Sequence, residues 1–249
     1  MSVFNNALDS LAGVFAAADR GLYALPESVV QLRRAVRRLQ DAHRGGGVPA
    51  DQVMRRLADD ACAAALDDGP LPSAAAALTA LDDERAAAAL YASVTVALER
   101  LQDRLNMTTR TMQTEPLYES LNDKLRALLA EVAEAARTLD DVDDVEDLIG
   151  GSDEQRRAWL ALPALASRYA VLREAQRALD ALRPPQRDRR GEYFEFRSPP
   201  TEPENEPSDP RKRLLWIIAN PELEPWIPTP VQRDLRWTEA RQPVGADQS

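Results

Sequence analysis

Cysteine, histidine and lysine are almost missing from this 249-residue chain. Cys62 is its only cysteine, so no disulfide can close within one chain, and a reducing compartment is expected. It sits in A-C-A-A-A-L with no basic neighbour to lower its pKa, which fits a small buried hydrophobe rather than a catalytic thiol. His43 is the only histidine, so any Ser-His-Asp or Cys-His site would have to use it. It stands at a helix end beside Arg44 and a run of glycines, where terminal carbonyls are the natural partners. One histidine and one cysteine cannot make a usual zinc site. Neither a G-x-G-x-x-G nor a P-loop occurs, so a standard phosphate cradle is absent and no cofactor is expected.

Other shortages narrow the choice further. No apolar run approaches the length that spans a bilayer, and M-S-V-F-N-N-A-L-D-S has none of the features of a secretory leader. The expectation is a cytoplasmic protein with no membrane partner. Aromatics are only 5% of the chain, while alanine and leucine dominate its first three-quarters, which points to helices. Lysine occurs only at Lys124 and Lys212 among 31 basic residues. With so much alanine, that bias reads as a high-GC source, bacterial or phage. The net charge of −10 argues against a surface devoted to phosphates, though it leaves room for a local basic face.

What is present is helical periodicity. Phe4, Leu8, Leu11, Phe15, Ala18 and Leu22 line one face of a first helix. Pro26 opens a second, with Val29, Leu32, Val36 and Leu39 inside and Gly45-Gly46-Gly47 as its stop. A third is expected from about Pro49 to Leu66. A long helix then runs from Ser73 to about Met112 on the stripe Leu90, Val94, Leu98, Leu101, Leu105, Thr108 and Met112. Threonines 108, 109, 111 and 114 and then Pro116 predict a break. Leu121, Leu125, Leu128, Val132, Ala135 and Leu139 follow as a heptad seam, and an antiparallel hairpin across the break is expected. D-D-V-D-D-V-E-D-L-I-G-G predicts a short acidic helix. Ser152 with Gln155 forms a capping box for a last long helix, kinked at Pro163 and ending near Arg183.

Composition changes abruptly there, since twelve of the 18 prolines lie beyond Arg183. E-Y-F-E-F-R predicts a short strand, with Tyr193, Glu195 and Arg197 on one side and Phe194 and Phe196 on the other. The sequence therefore divides into an all-α bundle with long antiparallel helices over 1–183, a Pro/Glu-rich tether over 184–208, and a short helical docking tail over 209–249. Asp209-Pro210 and Thr229-Pro230 start two helices in that tail.

The tail carries the sharpest functional signal. Burying Leu214, Leu215, Trp216, Ile217 and Ile218 would yield on the order of 8–15 kcal/mol. Ordering ten residues costs on the order of 10–20 kcal/mol, so the segment needs a surface to dock on. With Trp226 and Trp237 these residues form the expected partner-binding set. The surface is either the chain's own bundle or a groove on another subunit or another copy.

Two other constellations carry chemistry. Arg33, Arg34, Arg37, Arg38 and Arg44 make the second helix basic, as a nucleic-acid face would be, though no aromatic is interleaved for stacking. Glu131 and Glu134, with Asp144 and Asp147, form pairs one helical turn apart that could hold Mg²⁺. That spacing is similar to the acidic pairs of all-α nucleotide pyrophosphohydrolases, a likeness of spacing alone, and it implies a metal-dependent nucleotide hydrolase. The leading expectation is non-enzymatic: an interaction or assembly subunit of a multiprotein system.

Overall fold

A computed structural model describes residues 4–45, 59, 73–140, 142, 146–182, 195–198 and 206–239. The expected all-α class is what it shows: α1 (Phe4–Asp19), α2 (Glu27–Gly45), α3 (Ala74–Thr111), α4 (Glu115–Leu139), α5 (Asp153–Asp180), α6 (Pro210–Ala219) and α7 (Pro230–Glu239). Single 3-10 turns occupy Asp147–Ile149, within the stretch expected to form the acidic helix, and Pro221–Leu223. Among the described residues no helix is long and apolar enough to cross a membrane. The helix expected over Pro49–Leu66 falls, Asp59 apart, outside the described residues, as does Cys62.

The chain forms two compact units, Met1–Leu25 with Met112–Ser249, and Pro26–Thr111. In the second, α2 packs along α3 with Val29 and Val36 buried and Leu32 and Leu39 half-buried. The stripe of α3 is buried only toward its C-terminal end. Leu105 is covered, Leu98 and Leu101 are half-covered, and Leu90 stands 66% exposed. The threonines end this helix as expected: the Thr109 and Thr111 hydroxyls donate to the carbonyls of Leu105 (2.7 Å) and Met107 (2.8 Å). Within one unit α3 packs on α2, and within the other α4 packs on α5; the hairpin expected across the break would span the two units.

In the first unit the heptad seam of α4 is buried along its whole length, and Leu117 and Tyr118 extend it by a turn. It packs on α5, whose buried residues include Trp159, Leu162, Leu165, Tyr169, Leu172 and Leu179. The two helices run antiparallel, since Tyr118 meets Asp180 while Glu131, further along α4, meets Arg168, further back along α5. The capping box at Ser152 and Gln155 is formed, with both bonds made. α5 continues past the exposed Pro163 to Asp180, as the apolar stripe beyond that proline requires.

α1 lies against α5 by way of a glycine. A Cβ at Gly13 would sit 3.0 Å from the Cβ of Ala178, so any larger residue would push the helices apart. Gly21 ends α1 at φ +71, a conformation glycine adopts without strain; its own N–H donates to Ala18 O and the Leu22 N–H to Ala17 O. Buried beneath that turn, the Tyr23 phenol donates to Val14 O at 2.9 Å, and burial pushes its pKa upward.

A candidate docking groove for the C-terminal segment

Asp209 accepts the N–H of Arg211 at 2.8 Å and starts α6 where the sequence placed it. The Arg211 guanidinium and that N–H hold the Asp209 carboxyl well below the usual carboxylate range. Three residues apart on α6, Leu214 and Ile217 share a face, and this face packs on α4 and α5. Leu223 and Ile227 follow them into the same core, at 3% and 0% exposure. Thr229 and Gln232 then form a reciprocal capping box that starts α7.

Where a short strand was expected, the described residues form an isolated antiparallel bridge and no strand. Phe196 pairs with Pro225, the Trp226 N–H donates to Glu195 O (3.0 Å), and the Arg197 N–H donates to Glu224 O (3.0 Å). Phe196 is buried and meets Trp216 edge-on, with ring centroids 6.1 Å apart. Glu195, on the other side of the bridge, enters an ionic cluster. Arg213 of α6 binds it from one side and also pairs with Glu206. Arg173 of α5 lies on the other side, its Nε 2.9 Å from Glu195 Oε1 but off the line of a hydrogen bond. The Tyr169 hydroxyl donates to the same oxygen at 2.7 Å, and the Arg173 guanidinium stacks 5.0 Å from the Tyr169 ring centre.

These surroundings set the protonation states. Burial works to raise the Glu195 carboxyl, but Arg213 and Arg173 outweigh it and hold the group below its ordinary value. Burial pushes the Tyr169 phenol up to about 12, so it remains a donor. At the far end of the groove Asp180 accepts from Tyr118 (2.6 Å) and from Arg233 of α7 (2.6 Å). Burial there prevails over both donors and raises the Asp180 carboxyl.

Between the two clusters the chain is gripped by its main chain. Asn122 of α4 donates from Nδ2 to Ile227 O at 2.7 Å and accepts the Ile227 N–H on Oδ1 at 2.8 Å. Arg173 Nη1 donates to Trp226 O at 2.8 Å. One carboxamide satisfying both groups of one residue does what a neighbouring β-strand would do.

The expected partner-binding residues therefore divide. Leu214 and Ile217 are closed into the chain's own core, because this is the apolar surface the segment needed. Leu215, Trp216, Ile218 and Trp226 are half-buried, and the Arg197 guanidinium lies 5.0 Å above the Trp226 ring. Trp237 belongs to α7, with its side chain outside the described set. Of the basic residues, Arg34, Arg37 and Arg38 are exposed on α2 and Arg33 is half-buried; the side chains of His43 and Arg44 are outside the described set.

The acidic quartet is described only in part. Both oxygens of Glu131 are held by the Arg168 guanidinium, at 2.5 and 2.8 Å, which draws the Glu131 carboxyl below its ordinary value. Glu134 pairs with Arg137 one turn on. Asp144 is outside the described residues, and among those described no group of three or more potential ligands is assembled.

Sequence reasoning missed Asn122, Tyr169, Arg173, Asp180, Arg213 and Arg233, which do the gripping. It also missed Val231 and Leu235, four apart on α7 and 59% and 60% exposed. Compared with known proteins, the chain matches no family model, no curated protein and no solved structure.

Proposed function

We propose that this chain is a non-enzymatic interaction or assembly subunit of a bacterial or phage multiprotein system, working in a reducing compartment such as the cytoplasm. The observation that carries this reading is the outer face of α7. The docked segment fixes that helix by Arg233, yet Val231 and Leu235 point away from the groove and into solvent. An apolar pair on a helix anchored from its other side is suited to a second protein surface. The partner is another subunit or another copy of the chain.

The test is a double variant, Val231→Glu with Leu235→Glu, compared with the wild-type chain in capture from source-cell lysate and in sedimentation. The proposal expects loss of a specific protein partner or of self-association, with helical content unchanged. Equal recovery by both versions would sink it.

A second reading has one observation in its favour. Arg34, Arg37 and Arg38 are exposed together on α2 and would suit nucleic-acid phosphates. In a gel shift at low salt, failure to retard duplex or single strand would end that reading. The metal-dependent hydrolase has no comparable support, since Arg168 occupies Glu131.

A further inference from the structure

The groove between α4 and α5 treats residues 225–228 as a ligand. Its polar contacts go to the main chain of an extended segment, from Asn122 to Ile227 and from Arg173 to Trp226. Its apolar contact is a pocket that takes the whole Ile227 side chain. Pro225 and Pro228 flank the gripped pair, and each fixes its own φ, so the segment loses little freedom when it is bound. Extended peptides supplied by another molecule are held in this way, by main-chain hydrogen bonds with pockets for alternate side chains.

None of these contacts depends on the segment being covalently joined to the groove that holds it. Leu182 and Glu195 are separated by residues 183–194, a stretch whose fully stretched reach is about 40 Å. That is close to the length of α5 itself, about 42 Å for its 28 residues. A linker of that reach can lead to the groove of a neighbouring copy as well as to the chain's own.

We propose that two copies of this chain exchange their C-terminal segments, each groove taking residues 195–198 and 206–239 of the other. The exchanged pair keeps every contact of the closed chain: Asn122 with Ile227, Arg173 and Tyr169 with Glu195, Asp180 with Arg233, and Leu214 and Ile217 on α4 and α5. What differs is which chain supplies the segment. Because the closed form benefits from a local concentration on the order of mM, exchange grows as the chain approaches that concentration. This refines the proposed self-association and rests on it only for the identity of the partner.

Glu195 allows a test that reads exchange directly. In an Arg173→Glu chain the altered groove repels its own Glu195; in a Glu195→Arg chain the altered segment is repelled by its own Arg173. Neither can close on itself. When the two are mixed, exchange restores both sites at once: one groove has its original pair and the other has the pair reversed. The expected result is a 1:1 heterodimer of twice the chain mass by light scattering and native mass spectrometry, absent from either variant alone. A mixture that stays at single-chain mass, with both variants helical by circular dichroism, would overturn the proposal.

If either variant fails to fold, the wild-type chain supplies the answer. Isotope-labelled and unlabelled copies incubated from about 10 µM to about 1 mM should form hybrid dimers. Absence of hybrids across that range would show that the groove holds only its own segment. The Val231→Glu, Leu235→Glu variant should still exchange, so loss of the α7 face and loss of exchange are separable results.

Discussion

Among the described residues, 112–239 and 26–111 display different contacts. In the first stretch, side chains far apart in sequence are bonded to one another: Glu131 to Arg168, Tyr118 to Asp180, Asn122 to the Ile227 main chain, Arg213 to Glu195. In the second, the hydroxyls of Ser93, Thr95, Thr109 and Thr111 turn back to carbonyls of their own helix. There α3 leaves Leu90, Val96 and Met107 in solvent. Apolar stripes bring helices together in both stretches. Where polar groups also meet across the contact, as in the first stretch, the position of the added segment is fixed residue by residue, and that is what a site for an extended peptide needs.

The comparison can be broken most severely at Ile227. Replacing it with aspartate places an unpaired charge where exposure is 0%. The expected cost is on the order of 4 kcal/mol, with the segment from 195 onward becoming susceptible to protease. Urea unfolding and limited proteolysis would show it, and the helical signal of α2 and α3 should survive.

Asn122→Ala is a finer cut, removing both bonds to Ile227 while leaving the apolar pocket in place. A loss of about 2 kcal/mol is expected, since two main-chain groups lose their partner. An effect below about 0.5 kcal/mol would mean that the amide merely accompanies docking.

The clusters at the two ends of the groove should respond oppositely to acid. Glu195 has a depressed pKa, so its stabilisation is present above the ordinary glutamate range, about 4.3, and is lost as pH falls through its folded value. Asp180 has a raised pKa, so its protonation favours the folded state and offsets part of that loss. Stability measured from about pH 6 to about pH 3 should therefore fall less steeply in Glu195→Gln than in wild type, and more steeply in Asp180→Asn. Parallel curves for all three chains would contradict the assignment.

The smallest effect is expected in the other stretch. Leu90→Ser on α3 replaces a side chain that is already 66% exposed and should change stability by no more than about 0.5 kcal/mol. A loss above about 2 kcal/mol would show that this face is covered in the folded protein.

The sequence displayed the helices for a physical reason: apolar spacing is a local property, and so are caps. The seam from Leu121 to Leu139, the box at Ser152 and Gln155, and the starts at Asp209 and Thr229 were all legible. So was the need of Leu214 and Ile217 for a covering surface. The partner of α4 was not, because a heptad stripe says that a helix must pack without saying on which neighbour. The gripping residues were equally hidden. Asn122 is an ordinary polar residue on the flank of a seam, and Arg173 is one of many arginines; only the fold sets them 2.7–2.8 Å from the main chain of residues over fifty positions away. The pairing of Glu131 was hidden for the same reason: spacing along one helix cannot show that Arg168 waits on the next.

The central claim is that residues 195–198 and 206–239 fold as part of the α4–α5 unit, and amide hydrogen exchange of the wild-type chain tests it most directly. The Ile227 N–H is bonded to Asn122 and the Trp226 N–H to Glu195. These amides should exchange as slowly as those of Leu125 and Leu128 in α4, in one cooperative opening. Exchange of Trp226 and Ile227 at the rate of a free peptide, with α4 still protected, would contradict it.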